Sequence, residues 1–130
     1  MATFLIATDG SPESHEAIDY GLGLAAGEGA SAVLLQVMPS IDRTELARAA
    51  VEAVALAEKH HVPVRSEFLT GDPADEIVAY ADNHDVDLIV VGSRGRGMVA
   101  STLVGSVSDA VLREARRPVL VVRGEKRIRR

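Results

Sequence analysis

The chain of 130 residues contains no cysteine and no tryptophan, and its only aromatic side chains are two tyrosines and two phenylalanines. The absence of cysteine excludes a disulfide framework, a thiolate metal site and a cysteine nucleophile. Lysine is also scarce, because it occurs only at Lys59 and Lys126. No apolar run approaches membrane-spanning length, and no basic segment with an apolar core precedes the first predicted strand. We therefore expect a cytoplasmic protein with no membrane partner.

The composition that remains is typical of one globular domain. Hydrophobic residues make up 47% of the chain and charged residues 25%, and the formal net charge is −5. An acidic balance argues against general nucleic-acid binding. The basic tail, residues 125–130, is too short to form a nucleic-acid-binding surface. We predict one domain over residues 1–124 followed by this tail, with no nucleic-acid partner.

Short apolar runs alternate with segments of helical periodicity along the chain. Five strands in alternation with four helices predict a single α/β domain with a doubly wound parallel sheet. In such a sheet the ligand crevice lies at the carboxyl ends of the strands, where the strand order reverses. Sequence order by itself leaves the strand order open. The predicted strands are Phe4–Thr8, Ala32–Val37, Val64–Leu69, Leu88–Val91 and Val119–Val122.

Helix-boundary signals lie between these runs. Ser11 and Pro12 predict the start of the first helix, and Gly27 and Gly29 its end. Before the second helix, Asp42 and Glu45 form a plausible capping box. Before the third helix, Asp72 and Pro73 are typical of a helix N-terminus. Along the second helix we expect one buried stripe, formed by Leu46, Ala50, Ala53, Ala57 and His60.

The glycine-rich segment after the fourth predicted strand carries most of the functional information. Gly92, Gly95 and Gly97 allow a tight turn whose backbone N–H groups can converge on a phosphate. Arg94 and Arg96 add positive charge. Further along, a helix start is predicted whose N–H groups would point back toward this loop, at Gly105, Ser106, Val107 and Ser108.

Two rival phosphate motifs fit this segment poorly. A Walker A loop needs a lysine that is missing here. A dinucleotide fingerprint can be placed on Gly95, Gly97 and Ala100, but it then follows the fourth strand instead of the first. A purely structural alternative also stands, in which the glycines only make a tight turn.

The spacing Gly92-x2-Gly95-x9-Gly105-Ser106 resembles that of the nucleotide-binding subclass of the universal stress proteins. Similar flanks surround it, since Leu88–Val91 precedes it and Arg117–Val122 follows it. The sequence Asp9-Gly10-Ser11 after the first strand also matches, so the resemblance extends over essentially the whole chain.

This resemblance implies a strand order 3-2-1-4-5, a homodimer, and ATP or a related adenine nucleotide with Mg²⁺ between the first and fourth strands. It places Asp9 near the ribose and adenine, and Val37 against the adenine. Gly92 and Gly95 correspond to the ribose and phosphate loop, and the phosphate cradle corresponds to Gly105, Ser106 and Ser108. The segment after Val37 is shorter than in many family members, which implies a reduced lid over the nucleotide.

The same residues favour binding over catalysis. The loop offers backbone donors and hydroxyls but no lysine, and no carboxylate lies beside it. We expect no catalytic residue and no metal ion held by the protein. We expect a regulatory protein of the stress response with at most slow hydrolysis.

The alternative function is a dimeric interaction module that needs no nucleotide. A phospho-receiver domain is disfavoured, because this chain lacks the clustered acids and the lysine that such a domain needs. A structural alternative also stands for Asp9, which could only organise the turn before Ser11.

The last predicted strand suggests how a dimer could form. With the order 3-2-1-4-5, the third and fifth strands lie at the edges, and Arg65 and Glu67 protect the third. The fifth carries no charge, and an antiparallel pair of identical strands would close it. We predict a homodimer through Val119, Leu120, Val121 and Val122.

Overall fold

A computed structural model describes residues 1–93 and 105–123, and of Glu13 only the backbone. Its sheet has five parallel strands in the order β3-β2-β1-β4-β5, which confirms the predicted fold. The strands are β1 Thr3–Thr8, β2 Ser31–Met38, β3 Val64–Thr70, β4 Leu88–Gly92 and β5 Val119–Val122. The helices are α1 His15–Glu28, α2 Arg43–His60, α3 Pro73–Asn83 and α4 Ser106–Glu114, and a short 3-10 helix spans Pro12–Ser14. No helix within the described ranges is long and apolar enough to cross a membrane.

Strand β1 is the centre of the sheet. Leu5 pairs in register with Val33 of β2 on one side and with Ile89 of β4 on the other. The chain progresses outward from β1 to β3, then crosses back to β4 and continues to β5. The order therefore reverses between β1 and β4, which is where a doubly wound sheet opens its crevice.

Two apolar layers cover the two faces of the sheet. Because strand side chains alternate between faces, Leu5 points to one layer and Ile6 to the other. The layer around Leu5 packs under α3 and α4, through residues such as Ile77 and Val111. The layer around Ile6 packs mainly under α1, through Ile18, Leu22 and Ala25.

Most predicted helix boundaries are confirmed by side-chain contacts. The Asp42 carboxylate accepts from the N–H groups of Thr44 and Glu45, at 2.9 and 3.2 Å. Asp72 likewise caps α3 by accepting from Asp75 N at 3.0 Å. Gly29, with φ of 66°, ends α1 as expected.

Two boundary predictions near α1 were wrong in detail. Gly27 lies inside α1 and does not stop it. Ser11 and Pro12 start the 3-10 helix, and α1 begins only at His15. The reason is that the Ser11 hydroxyl bonds back to Asp9 and does not cap the following turn.

The stripe predicted on α2 was wrong at one of its five positions. Ala53 is buried as expected, but Ala50 is exposed and Ala49 is buried in its place. Leu46 and Ala57 are only half-buried. Helix α2 packs mainly on the edge strand β3, so it buries a narrow line of small residues.

Candidate functional site

The carboxyl ends of β1 and β4 lie side by side at the point where the strand order reverses. Helix α4 returns from the carboxyl end of β4 to the amino end of the parallel strand β5. Its N-terminus therefore lies at the same edge of the sheet as the turn after β1. This edge brings together the predicted site residues that the structure describes.

Asp9 organises the turn that follows β1. Its Oδ1 accepts from the backbone N–H of Ser11 at 2.9 Å and also from the Ser11 hydroxyl. Ser11 is buried, and Asp9 is half-buried. Asp9 therefore organises the turn before Ser11, as its structural alternative expected, and these contacts hold its carboxylate just after the carboxyl end of β1.

A chain of hydroxyl groups lies beneath this turn. Gly10 N donates to Thr8 Oγ1 at 3.0 Å, and the Thr8 hydroxyl donates to Ser14 Oγ at 2.8 Å. The Ser14 hydroxyl continues the chain by donating to Ser11 O at 2.7 Å. Sequence reasoning missed Thr8 and Ser14, although hydroxyl residues at every third position from Thr8 were a visible pattern.

A second polar group packs against the same turn from β2 and α2. Gln36 is only 6% exposed, and its Nε2 donates to Glu45 Oε2 at 3.1 Å. Arg48 holds the same carboxylate through bonds of 3.0 and 2.7 Å and also bonds Glu52 at 3.1 Å. The bond to Glu45 is the main reason that the pKa of Arg48 is raised above its ordinary value. No motif in the sequence pointed to a site role for Gln36 or Glu45.

Val37 lies near the carboxyl end of β2, next to the central strand. Its half-buried side chain, like those of Ala7 and Leu69, packs against the apolar layer under α3 and α4. Gln36 precedes it and faces α2. Val37 therefore offers an apolar surface on the face that also carries α4.

Helix α4 begins at Ser106, as the sequence predicted, with Gly105 as its N-cap. The backbone N–H groups of Ser106, Val107 and Ser108 have no acceptor within the helix. Gly105 has no side chain that could cap them, and its φ of −73° and ψ of 168° are extended. Such a helix start favours an anion.

The two serines at this helix start differ in environment. Ser106 is exposed, whereas Ser108 is 2% exposed. The Ser108 hydroxyl donates to Gly105 O at 3.1 Å. Ser108 thus stabilises the first turn of α4, and its backbone N–H remains the group available for an anion.

The end of β4 completes the described part of the site. Gly92 pairs in register with Val122, and the N–H of the buried Ser93 donates to Val122 O at 2.9 Å. Arg94 and Gly95 of the predicted site lie outside the described residues, as do the basic tail residues 125–130.

The described part of the chain has backbone donors for an anion at the start of α4 but no cluster of metal ligands. No group of three or more histidine, aspartate or glutamate side chains that could hold a metal ion occurs within residues 1–93 and 105–123. Lys59 lies 3.6 Å from Asp19 in an ion pair between α2 and α1. The described edge therefore offers backbone N–H groups, hydroxyls and the half-buried carboxylates of Asp9 and Glu45.

The chain is similar in sequence to known proteins. A universal stress protein of Methanocaldococcus jannaschii is 32% identical to this chain over an alignment of 140 positions. The alignment covers 95% of this chain and 82% of that protein. A universal stress protein of Thermus aquaticus is 34% identical, with 93% of this chain and 98% of that protein covered. The chain spans 45% of the length of a Mycobacterium tuberculosis universal stress protein to which it is 33% identical.

Solved structures give the same result at the level of the fold. Universal stress protein UspA of Lactobacillus plantarum has a TM-score of 0.83 at 24% identity, over 94% of this chain and 97% of that one. A universal stress protein in complex with cAMP has a TM-score of 0.79 at 25% identity, over 95% and 98% of the two chains. The Archaeoglobus fulgidus universal stress protein in complex with dAMP has a TM-score of 0.74 at 21% identity, over 94% and 98%.

A sequence profile of the universal stress protein family matches residues 1–123. This match covers all five strands and all four helices described above. The chain belongs to the universal stress protein family.

Proposed function

We propose that this protein binds an adenine nucleotide, ATP or a close relative, in the crevice between the carboxyl ends of β1 and β4. The observation that carries this proposal is the glycine-capped N-terminus of α4, which shares the crevice edge with Asp9. A helix start of this kind favours phosphate. Two family members with the same fold are bound to cAMP and dAMP, which supports an adenine nucleotide as the ligand.

Each described residue has a role that its chemistry permits. The N–H groups of Ser106, Val107 and Ser108 would bind phosphate oxygens. Asp9, held by Ser11, would accept a hydrogen bond from a ribose hydroxyl. Val37 would contact the adenine, and the phosphate and ribose loop would include Gly92, Arg94 and Gly95.

Magnesium would enter with the phosphates of the nucleotide, because the described residues offer no three-residue ligand group of their own. When bound, Mg²⁺ neutralises phosphate charge. The N–H groups at the start of α4 would stabilise a bound phosphate, and the carboxylate of Asp9 would be engaged by the ribose. We therefore propose a cytoplasmic regulatory protein of the stress response with slow hydrolysis at most.

A direct test is to denature the purified protein and identify what it releases. We expect an adenine nucleotide in chromatography and mass spectrometry of the supernatant, or binding of added ATP if none copurifies. Incubation with Mg·ATP should release phosphate only slowly. Rapid turnover that is lost in Gly105→Trp would contradict the assignment as a binding protein.

A further inference from the structure

Gln36 and Glu45 contact the one turn that carries Asp9, although they come from β2 and α2. Gly10 adopts a φ of +79°, and a Cβ built there would lie 2.7 Å from Gln36 Nε2 and 2.8 Å from Glu45 Oε2. Real Cβ contacts are longer, so the backbone of Gly10 packs directly beneath the Gln36–Glu45 hydrogen bond. The turn is thus enclosed between this bond and the hydroxyl groups of Thr8 and Ser14.

We propose that Gln36 and Glu45 are positioning residues for the nucleotide site, which hold the Asp9–Gly10 turn in its binding conformation. This inference rests on the proposed function, because it assigns a role in binding the same nucleotide. Its physical basis is preorganisation. A turn that is already fixed loses less conformational freedom when it binds a ligand.

Charge distinguishes this role from direct attraction. Glu45 is anionic at an edge proposed to bind phosphates, so its Coulomb interaction with the nucleotide is repulsive. Arg48 partly balances that charge through its bonds of 2.7 and 3.0 Å to Glu45. Removing Glu45 would therefore strengthen nucleotide binding if charge alone mattered, and would weaken it if Glu45 positions the turn.

Glu52 provides a matched control on the same helix. Like Glu45 it is a glutamate bonded to Arg48, but its Oε2 lies 3.4 Å from His15 Nε2, at the start of α1. The experiment measures ATP affinity by calorimetry in the wild type, Glu45→Ala, Glu45→Gln and Glu52→Ala. We expect about fivefold to tenfold weaker binding in Glu45→Ala, because the turn loses its support. Glu45→Gln, which keeps an oxygen acceptor for Gln36, should restore most of the affinity, and Glu52→Ala should bind within about twofold of the wild type.

A double-mutant cycle tests whether Glu45 acts through Asp9. In an Asp9→Ala background the Glu45→Ala change should weaken binding by less than about twofold, because the residue that it positions is gone. Circular dichroism melting confirms that each variant is folded at the temperature of the titration.

The outcomes separate this inference from the proposed function. A wild type that binds no adenine nucleotide overturns both. A wild type that binds, together with unchanged or tighter binding in Glu45→Ala, overturns only the positioning role. Equal losses in Glu45→Ala and Glu52→Ala, or an equal Glu45 effect with and without Asp9, also overturn it.

Discussion

Two exposed glycines of the first helix differ in backbone conformation, so the same substitution has opposite effects at the two positions. Gly23 lies inside α1, and a Cβ there meets nothing within 4 Å. Gly29 ends α1 with a φ of 66°, and its surroundings are equally open. Steric clashes therefore play no part, and only the backbone conformation distinguishes the two sites.

We predict that Gly23→Ala stabilises the protein by about 0.5–1 kcal/mol, because alanine loses less backbone entropy than glycine in a helix. Gly29→Ala should destabilise it by about 1 kcal/mol, because alanine is strained in the left-handed conformation. Urea unfolding of both variants measures the two free energies. Effects of the same sign would contradict the backbone argument.

At the scale of residues, the sequence predicted the groups that act locally. Asp9, Gly105 and Ser106 belong to short motifs, and the described residues place them at one edge of the sheet. Gln36 and Glu45 could not be predicted in the same way. Their contact with Gly10 joins three segments, and no spacing along the chain reports it.

Among the elements, helix α4 matters most, because it carries the proposed phosphate site while little of it is buried. In its nine residues, only Ser108 and Val111 are buried. Val111 is 0% exposed and packs in the layer beneath α3 and α4, whereas its neighbour Leu112 is 45% exposed. Val111 is therefore the main apolar anchor of α4.

We predict that Val111→Ala lowers the free energy of unfolding by about 2 kcal/mol, through lost apolar burial and a residual cavity. Leu112→Ala removes more atoms but should change it by less than about 0.5 kcal/mol, because most exposed substitutions do. Thermal or urea unfolding of the pair measures the difference. A larger loss in Leu112→Ala would show that α4 packs through its other face.

Helix boundaries could largely be predicted from the sequence, and the buried face of α2 only in part. Asp42 and Asp72 cap neighbouring N–H groups, so their effect depends only on the local chain. The choice between Ala49 and Ala50 on α2 depends on where the helix meets the sheet edge. Neighbouring residues of a helix point about 100° apart around its axis. Because positions 49 and 50 are both alanine, the sequence pattern did not show which of them faces the sheet.

At the scale of the whole molecule, the outer edge of β5 offers backbone groups to which a strand of another chain could bond. Among the described strands, β5 lies at the edge of the sheet beside β4. Pro118 O and Val122 O accept from Ile89 N and Ser93 N of the β4 segment. Since the backbone N–H and C=O groups of successive residues point to opposite sides of a strand, the N–H of Val121 points away from β4. We propose that a second copy of this chain pairs there.

We predict that Val121→Pro shifts the protein from dimer to monomer in analytical ultracentrifugation at micromolar concentration. Proline removes the outward N–H and leaves the bonds to β4 in place. Ser66→Pro is the matched control on the opposite edge strand, because Pro63 O accepts from Ala32 N and Ser66 therefore also points outward. A monomeric wild type, or equal dissociation in both variants, would contradict a dimer through β5.

The strand order followed from the resemblance and is confirmed. The nucleotide crevice between β1 and β4 stays a prediction. Alternation of strands and helices predicted a parallel sheet by itself, but it left the order open. The oligomeric state depends on a surface that only a second chain can cover, so it stays a prediction.

Binding of an adenine nucleotide at the N-terminus of α4 can be measured by calorimetric titration with Mg·ATP. Gly105 has an extended backbone that any residue can adopt, so Gly105→Trp should fold and place its ring over the helix start. Gly23→Trp, at an open position on α1, controls for adding an exposed tryptophan. We predict saturable binding of one nucleotide per chain in the wild type and in Gly23→Trp, and binding about tenfold weaker or worse in folded Gly105→Trp. Absence of binding in the wild type, or undiminished affinity in Gly105→Trp, would contradict nucleotide binding at the N-terminus of α4.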